Sequence, residues 1–149
     1  MKTTKFAHQR GYDGGKKITG IKRSVAVDTN GLPHAFAVTT ANTTDRKSAL
    51  EMLETFVTEL TEVSAVLCDG GYTGEPFRKG VRKLLDADVQ IAKRSALHQF
   101  AVIPKRWVVE RTFAWLDDFR RLWKNCERKL HTSQQMMALA FLRICLGRL

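Results

Sequence analysis

Asp69 stands where a carboxylate could serve chemistry on phosphate groups. It directly follows the apolar run 63–68, which predicts a short buried strand, and it precedes the pair Gly70-Gly71. In open α/β sheets, ligands bind beyond the carboxyl ends of strands, so a carboxylate at this position can hold a metal ion. The two glycines would let a bulky phosphate backbone come close. The alternative interpretation is an aspartate that hydrogen-bonds its own backbone in a turn.

Glu110 is the second candidate carboxylate. The sequence predicts a helix from about Trp107 to Lys124, and on a helical wheel Glu110 shares its side with Asp117 and Arg121. The apolar residues of this segment point the other way. The alternative interpretation is a solvated helix face, with an acid placed favourably near the positive end of the helix dipole.

Other residues that could do chemistry give weaker signals. Asp28 is interpreted as a hairpin-turn residue, because aspartate bonds its own backbone in turns. Three tryptophans step by eight residues, and such a stripe favours a core position over a platform for stacking bases. They are Trp107, Trp115 and Trp123. The histidines show no spacing typical of metal ligands.

The charge distribution indicates a polyanionic partner. Residues 1–23 hold seven basic and one acidic residue, and residues 102–149 hold ten and four, so each flank carries +6. The middle, residues 24–101, holds eight basic and ten acidic residues and carries −2. Basic flanks around a mildly acidic centre suit a protein that grips nucleic acid at its edges. A set of charges that serves only solubility remains the alternative.

Cysteine use and hydropathy exclude several classes of protein. The three scattered cysteines form no CxxC pair, which favours reduced thiols in a cytoplasm over disulfides or a zinc site. No apolar run approaches the roughly 20 residues that a membrane span needs. The first ten residues lack the apolar core of a signal peptide.

The order of the predicted elements is that of an α/β domain. The chain of 149 residues fits one domain, with a basic loop at 1–23 followed by a core and C-terminal helices at 24–149. A hairpin, in which Thr29-Asn30-Gly31 supplies the turn, is followed by alternating helices and strands. The predicted strands span 24–28, 34–40, 63–68 and 89–92, and the predicted helices span 45–60, 77–85, 107–124 and 133–146, with Thr44 or Asp45 capping the first and Thr132 or Ser133 the last.

Five segments of the chain resemble the catalytic domain of DDE-type insertion-sequence transposases, in particular the fifth insertion-sequence family, close to the fourth. The resemblance covers nearly the whole chain in order, and the last two motifs are long and specific. The segments are Arg10–Lys17 (RGYDGGKK), Val25–Asp28 (VAVD) with Asn30-Gly31, Thr40–Asn42 (TAN) with Asp45-Arg46, Cys68–Gly74 (CDGGYTG) and Arg106–Trp115 (RWVVERTFAW).

The resemblance implies a fold, a site and partners. The fold is RNase H-like, with the family's second Asp corresponding to Asp69 and its Glu to Glu110. These carboxylates would bind two divalent cations, Mg²⁺ or Mn²⁺, for cleavage and transfer of DNA strands. The partner would be double-stranded DNA, both transposon ends and target, with a second copy or a full-length transposase as a further partner. The candidate DNA-binding residues are Arg106, Arg111, Arg120, Arg121 and Lys124.

The chain also departs from the family pattern. The family's first Asp lies a few residues before the segment Lys2–Thr4, where this sequence has Met1, so we expect a truncated catalytic domain that is incomplete at its N-terminus and weak or inactive alone. Arg106 matches the Arg four residues before the Glu, whereas Ile103 and Asp117 do not match the family's Tyr and basic residue. Two alternatives remain: a non-catalytic DNA-binding fragment that modulates full-length transposase, and an RNase H-like nuclease unrelated to transposition.

Overall fold

A computed structural model describes Met1, Thr3, residues 7–92 and residues 106–147, with only the backbone of Arg106. These residues form a mixed α/β fold, as the sequence predicts. An antiparallel sheet has the strand order β1-β2-β3, and β4 and β5 form a separate parallel pair. The elements are β1 Gly11–Asp13, β2 Ile18–Val27, β3 Pro33–Thr40, α1 Asp45–Thr55, β4 Ala65–Cys68, α2 Glu75–Leu85, β5 Asp88–Ile91, α3 Arg106–Asp117 and α4 Leu130–Leu146.

The predicted hairpin is confirmed as β2 and β3. The Asp28 carboxylate accepts hydrogen bonds of 2.8 Å from the backbone N–H groups of Asn30 and Leu32, and Gly31 has φ +83°. Asp28 is therefore the turn residue that the sequence indicated, and Gly31 supplies the left-handed backbone conformation that favours glycine.

The N-terminal segment differs from the predicted loop. Residues 11–13 form β1 and pair with the first three residues of β2, with Tyr12 opposite Thr19. Gly11 lies so close to Asn42 that a Cβ there would stand 1.9 Å from the amide oxygen of that residue. The four glycines near this region indicated a loop, but Gly11 instead permits close packing of β1 against the segment that follows β3.

Helices α1 and α2 cover one face of both sheets and form the first core. Thr44 caps α1 as predicted by accepting a hydrogen bond from the backbone N–H of Lys47, but α1 ends at Thr55 rather than near residue 60. Val66 and Cys68 of β4 pack against the same core as Ala26 of β2. The buried members are Ala35, Ala49, Met52, Leu53, Leu60, Phe77, Val81, Leu85 and Ala87.

Helices α3 and α4 form a second core against β2 and β3. Its buried members are Ile21, Val38, Leu116, Leu122, Met137, Ala140 and Phe141. Helix α4 begins at Leu130, and neither Thr132 nor Ser133 caps it; the Ser133 hydroxyl instead donates to the side-chain carbonyl of Asn125. In the described parts of the chain, no helix is long and apolar enough to cross a membrane.

Helix α3 is shorter than predicted. It ends at Asp117, and tighter i to i+3 bonds follow, from Phe119 N–H to the Leu116 carbonyl and from Leu122 N–H to the Phe119 carbonyl. Residues six apart do not share a helix face, so the chain must turn for Leu116 and Leu122 to enter one core. The predicted core stripe of tryptophans is wrong for Trp107 and Trp123, which are 48% and 66% exposed.

Parts of two strand edges, on β2 and on β4, have no backbone partner in the described part of the chain. One edge of β2 pairs with β1 at residues 18–20 and with Met1 at Ile21, where the two residues exchange backbone hydrogen bonds of 3.1 Å and 2.8 Å. Beyond them, Arg23 and Val25 direct their backbone groups to the open part of this edge, because Gly20 accepts a hydrogen bond from Ala41 on the β3 side and the direction alternates along the strand. Strand β4 likewise directs Ala65 and Leu67 away from β5. The Leu67 side chain is 43% exposed, so β4 is covered on one face only, in contrast to the fully buried strand that was predicted.

Candidate active site

Asp69 immediately follows β4 at its carboxyl end, as predicted. Its side chain accepts a 2.9 Å hydrogen bond from Gly71 N–H and caps a 3-10 turn over Gly70–Tyr72. The residue is exposed to solvent. The turn interpretation of Asp69 is therefore confirmed, because one carboxylate oxygen orders the turn. The metal-binding interpretation stays a prediction, and the exposed carboxylate leaves room for a cation.

The surroundings of Asp69 are partly buried and negatively polarised. Burial and, to a smaller extent, the charge of Asp69 together raise the pKa of the Cys68 thiol to about 11. Burial likewise raises the pKa of Tyr72 to about 12, with Asp45, Asp69 and Cys68 adding to the shift. A cation bound at Asp69 would lower the pKa of both Cys68 and Tyr72, because its positive charge opposes that of the carboxylate.

Glu110 is exposed on α3, whose first half is fastened to the β2–β3 turn. The buried Thr112 hydroxyl donates to the Gly31 carbonyl at 2.8 Å, and Arg111 donates to the Asn30 carbonyl at 2.6 Å. The Arg111 guanidinium also stacks at 4.4 Å and 4.8 Å from the ring centroids of Trp107 and Trp115. These contacts fix the rotation of α3 and hence the direction of Glu110.

The face of α3 that carries Glu110 is directed towards the open edge of β2. Phe113 and Asp117, three and seven residues after Glu110, share its side of the helix. Both line a cleft of about 210 Å³ together with Arg23 of β2. Burial lowers the pKa of Arg23 to about 10, although the negative charge of Asp117 acts in the opposite direction. Arg23 Nε has no hydrogen-bond partner among the described residues.

Asp69 and Glu110 thus come from different parts of the fold. Asp69 borders the core under α1 and α2, and Glu110 lies on the helix that covers the other face of β2. Their oxygen donors suit hard divalent cations such as Mg²⁺ or Mn²⁺. Within residues 7–92 and 106–147, however, no three His, Cys, Asp or Glu side chains are grouped closely enough to hold a metal ion.

The predicted DNA-binding residues occupy different environments. Arg111 is held between two indole rings and the Asn30 carbonyl, which gives it a structural role. Arg121 forms an ion pair with the nearly buried Glu127, whereas Arg120 is exposed and Lys124 is half-buried in the turn after α3. The side chain of Arg106 and the basic segment 93–105 lie outside the described residues.

The anchors of α3 were not identified from the sequence. Asn30 and Gly31 indicated a turn, but nothing in that motif shows that its carbonyls accept bonds from a helix 81 residues later. The buried hydroxyl of Thr112, amid the apolar face of α3, is the one signal that could have indicated such a partner, because a buried hydroxyl needs a hydrogen bond.

Comparison with known proteins gives a family match over most of the chain. Residues 1–145 match the family described as transposase DDE domain. The chain is 33% identical over 135 residues to a Burkholderia cepacia protein that bears the name of a transposase for insertion sequence element IS402, covering 85% of this chain and 63% of that protein. The chain therefore spans less than two thirds of this relative, and no solved structure gives a significant match. The chain belongs to the DDE-domain family of insertion-sequence transposases.

Proposed function

We propose that this domain cleaves and transfers DNA strands at the ends of an insertion sequence, with Asp69 and Glu110 as metal-binding catalytic carboxylates. The observation that carries the proposal is the position of the two residues within the matched family domain. Asp69 ends β4 beside the Gly-Gly turn, and Glu110 lies on the face of α3 that is directed to the open edge of β2. In the proposed site, both carboxylates would border the space between β2 and β4.

Both carboxylates would hold the metal in this proposal, each from a different element. When bound, divalent cations such as Mg²⁺ or Mn²⁺ would activate the attacking oxygen and neutralise the charge that develops on the leaving oxygen. Asp69 would hold such a cation with the carboxylate that the turn over Gly70–Tyr72 orients. Glu110 would hold it from the rigid helix that Thr112 fastens to Gly31. Gly70 leaves open space for a phosphodiester, since nothing described lies within 4 Å of its Cβ position.

A third carboxylate would come from outside the described residues. We infer an RNase H-like sheet in which one further extended strand pairs with Arg23 and Val25 of β2 on one side and with Ala65 and Leu67 of β4 on the other. Two observations support this strand: Met1 already exchanges backbone hydrogen bonds with Ile21 on the same edge of β2, and α1 and α2 pack across both sheets and hold them side by side. An acidic residue on that strand would stand between Asp69 and Glu110.

Double-stranded DNA is the substrate in this proposal. The net charge of +10 and the exposed Arg120 support binding to phosphates, which releases counterions and makes affinity depend on salt. Recognition of a particular end would need sequence readout beyond these phosphate contacts. A second copy or a full-length transposase would be the protein partner.

The test is cleavage of a labelled duplex that ends in the inverted repeat of the element, with Mg²⁺ or Mn²⁺. We expect negligible cleavage by the 149-residue chain and cleavage when the chain is extended by a strand that supplies the third carboxylate. In the extended protein, Asp69→Asn or Glu110→Gln should abolish cleavage while DNA affinity is retained. Robust cleavage by the short chain would mean that another residue completes the site, with Asp28 the first to substitute.

The second candidate function is a non-catalytic DNA-binding fragment that modulates full-length transposase. It draws support from the basic surface of the chain, which needs no metal site in order to bind DNA. The extended protein separates the two functions. Cleavage that depends on Asp69 and Glu110 supports the enzyme, whereas DNA binding without cleavage in that protein supports the fragment.

A further inference from the structure

The hairpin formed by β1 and β2 is a basic ribbon with an exposed tip. Lys16 and Lys17 stand at the tip and are exposed, and Arg10 is exposed just before β1. Tyr12, which pairs with Thr19 across the hairpin, is 59% exposed. With Asp13 as the single acid, residues 10–17 carry three basic charges and one acidic charge, a net +2. None of these residues belongs to the helix that carries Glu110.

The conformation of the tip is fixed before any ligand binds. One oxygen of the Asp13 carboxylate accepts 3.0 Å hydrogen bonds from the backbone N–H groups of Gly15 and Lys16. Lys17 adopts φ +50°, a left-handed conformation that is unfavourable for a lysine. The base of the hairpin is held by the close contact between Gly11 and Asn42. The backbone of the two adjacent lysines is thus ordered before binding, which reduces the conformational entropy that is lost when they bind a ligand.

The hairpin also lies next to the face of α3 that carries Glu110. Asp13, Lys16 and Asp117 line the same cleft of about 210 Å³. Asp117 follows Glu110 by seven residues, which is about 10 Å along the helix axis at 1.5 Å per residue. That distance corresponds to about three base steps of DNA at 3.4 Å each. A duplex held at Glu110 can therefore reach the hairpin tip without bending.

We propose that the β1–β2 hairpin is a second DNA-contact element, in which Lys16 and Lys17 bind backbone phosphates a few base steps away from the phosphate at the carboxylates. The inference rests on the proposed function, because it assumes that DNA is the substrate. A two-stranded β-ribbon is narrow enough to enter the major groove of a duplex. The sequence alone indicated that the basic flank 1–23 grips nucleic acid, but it named individual DNA contacts only on and after α3; the hairpin identifies the residues of that flank that would bind phosphates.

The experiment measures how the affinity for a 30-base-pair duplex depends on salt. The test variant is Lys16→Gln with Lys17→Asn, because asparagine tolerates the left-handed conformation at residue 17. The matched control is Lys79→Gln with Lys83→Gln on α2, which removes the same charge from two other exposed lysines. The charge-retaining variant Lys16→Arg should behave like the wild type. Circular dichroism and the melting temperature verify that each variant is folded.

Loss of two phosphate contacts should make the plot of log affinity against log salt less steep by about 1.8. If the variant and the wild type bind equally at 1 M salt, the variant then binds roughly 60-fold more weakly than the wild type at 0.1 M salt. The control should keep the wild-type slope. Equal slopes for the test and control variants would overturn the hairpin contact and leave the proposed function standing. A wild-type chain whose duplex affinity is absent or insensitive to salt would overturn both.

Discussion

The Thr112 hydroxyl donates a 2.8 Å hydrogen bond to the Gly31 carbonyl and so joins α3 to the β2–β3 turn. The same hydroxyl contacts the Val108 carbonyl at 3.1 Å, and Thr112 is 1% exposed. This buried link holds the helix of Glu110 on the sheet. Because it connects residues 81 positions apart, it stabilises the tertiary structure and not merely one helix.

Thr112→Val should therefore destabilise the fold without changing side-chain volume much. The substitution leaves the Gly31 carbonyl without its hydroxyl partner, which costs about 1–3 kcal/mol for a buried polar group. Urea unfolding followed by circular dichroism measures the loss. Thr55→Val is the matched control: its hydroxyl bonds the Glu51 carbonyl on an exposed surface, and we expect a change under about 0.5 kcal/mol. Equal losses in both variants would contradict a special role for the buried bond.

Gly31→Ala tests the same junction from the side of the turn. Gly31 has φ +83°, and a Cβ there would stand 3.1 Å from both Arg111 Nη2 and the Thr112 hydroxyl. Strain and crowding together should lower the free energy of unfolding by about 1–3 kcal/mol. Gly14→Ala is the control, since nothing described lies within 4 Å of its Cβ position. An unchanged free energy of unfolding in Gly31→Ala would show that the turn and α3 are not tightly packed together.

Stability should decline in alkaline solution because of the groups beside Asp69. Burial raises the pKa of Cys68 from 9.0 to about 11 and that of Tyr72 from 10.0 to about 12. A folded-state pKa above the unfolded value gives stability that is complete below the unfolded pKa and is lost as pH rises towards the folded pKa. The Cys68 contribution should thus disappear between pH 9 and 11, on the order of 1–2 kcal/mol after solvent screening.

The measurement for this pH effect is the free energy of unfolding from pH 8 to 11 for the wild type and Cys68→Ala. The variant should show a smaller decline over that window. Cys126→Ala is the control, because Cys126 is exposed. Identical curves for the wild type and Cys68→Ala would mean that the Cys68 thiol titrates normally.

Arg120 and Arg121 should respond differently to removal of their charge. Arg120→Gln should lower the salt slope of DNA binding by about 0.9, as expected for one phosphate contact, and leave stability unchanged. Arg121→Gln should destabilise the fold, because Glu127 is 8% exposed and would lose its ion-pair partner. Salt titrations and urea unfolding of both variants separate these effects. The contact assignment fails if neither substitution changes the slope.

The sequence predicted local structure well where one segment determines it. The hairpin around Asn30 and Gly31 and the cap at Thr44 depend on residues within a few positions, and each is found as predicted. Helix α3 was predicted too long because helical periodicity continues past Asp117. Only the shared core position of Leu116 and Leu122 shows that the chain must turn there.

The sequence proposes the candidate site as a set of residues, which stays a prediction, and it gives no geometry. Position after a strand and the family motifs indicate Asp69 and Glu110, and composition indicates the basic residues. Nothing local could show that Arg111 is held by Trp107, Trp115 and Asn30, or that Lys16 and Lys17 stand on an ordered hairpin. Those properties depend on contacts between segments far apart in the chain.

Asp69 and Glu110 are proposed to bind one divalent-metal centre. The most direct measurement replaces Mg²⁺ with Fe²⁺ in the presence of ascorbate and peroxide, and maps where the radicals formed at the bound iron cut the backbone. A metal ion shared by both carboxylates should give two cuts, one near Asp69 and one near Glu110. Excess Mg²⁺ should suppress both, and so should either Asp69→Asn or Glu110→Gln alone. Cuts near only one of the two residues, or two cuts that respond independently to the two substitutions, would contradict a shared metal centre.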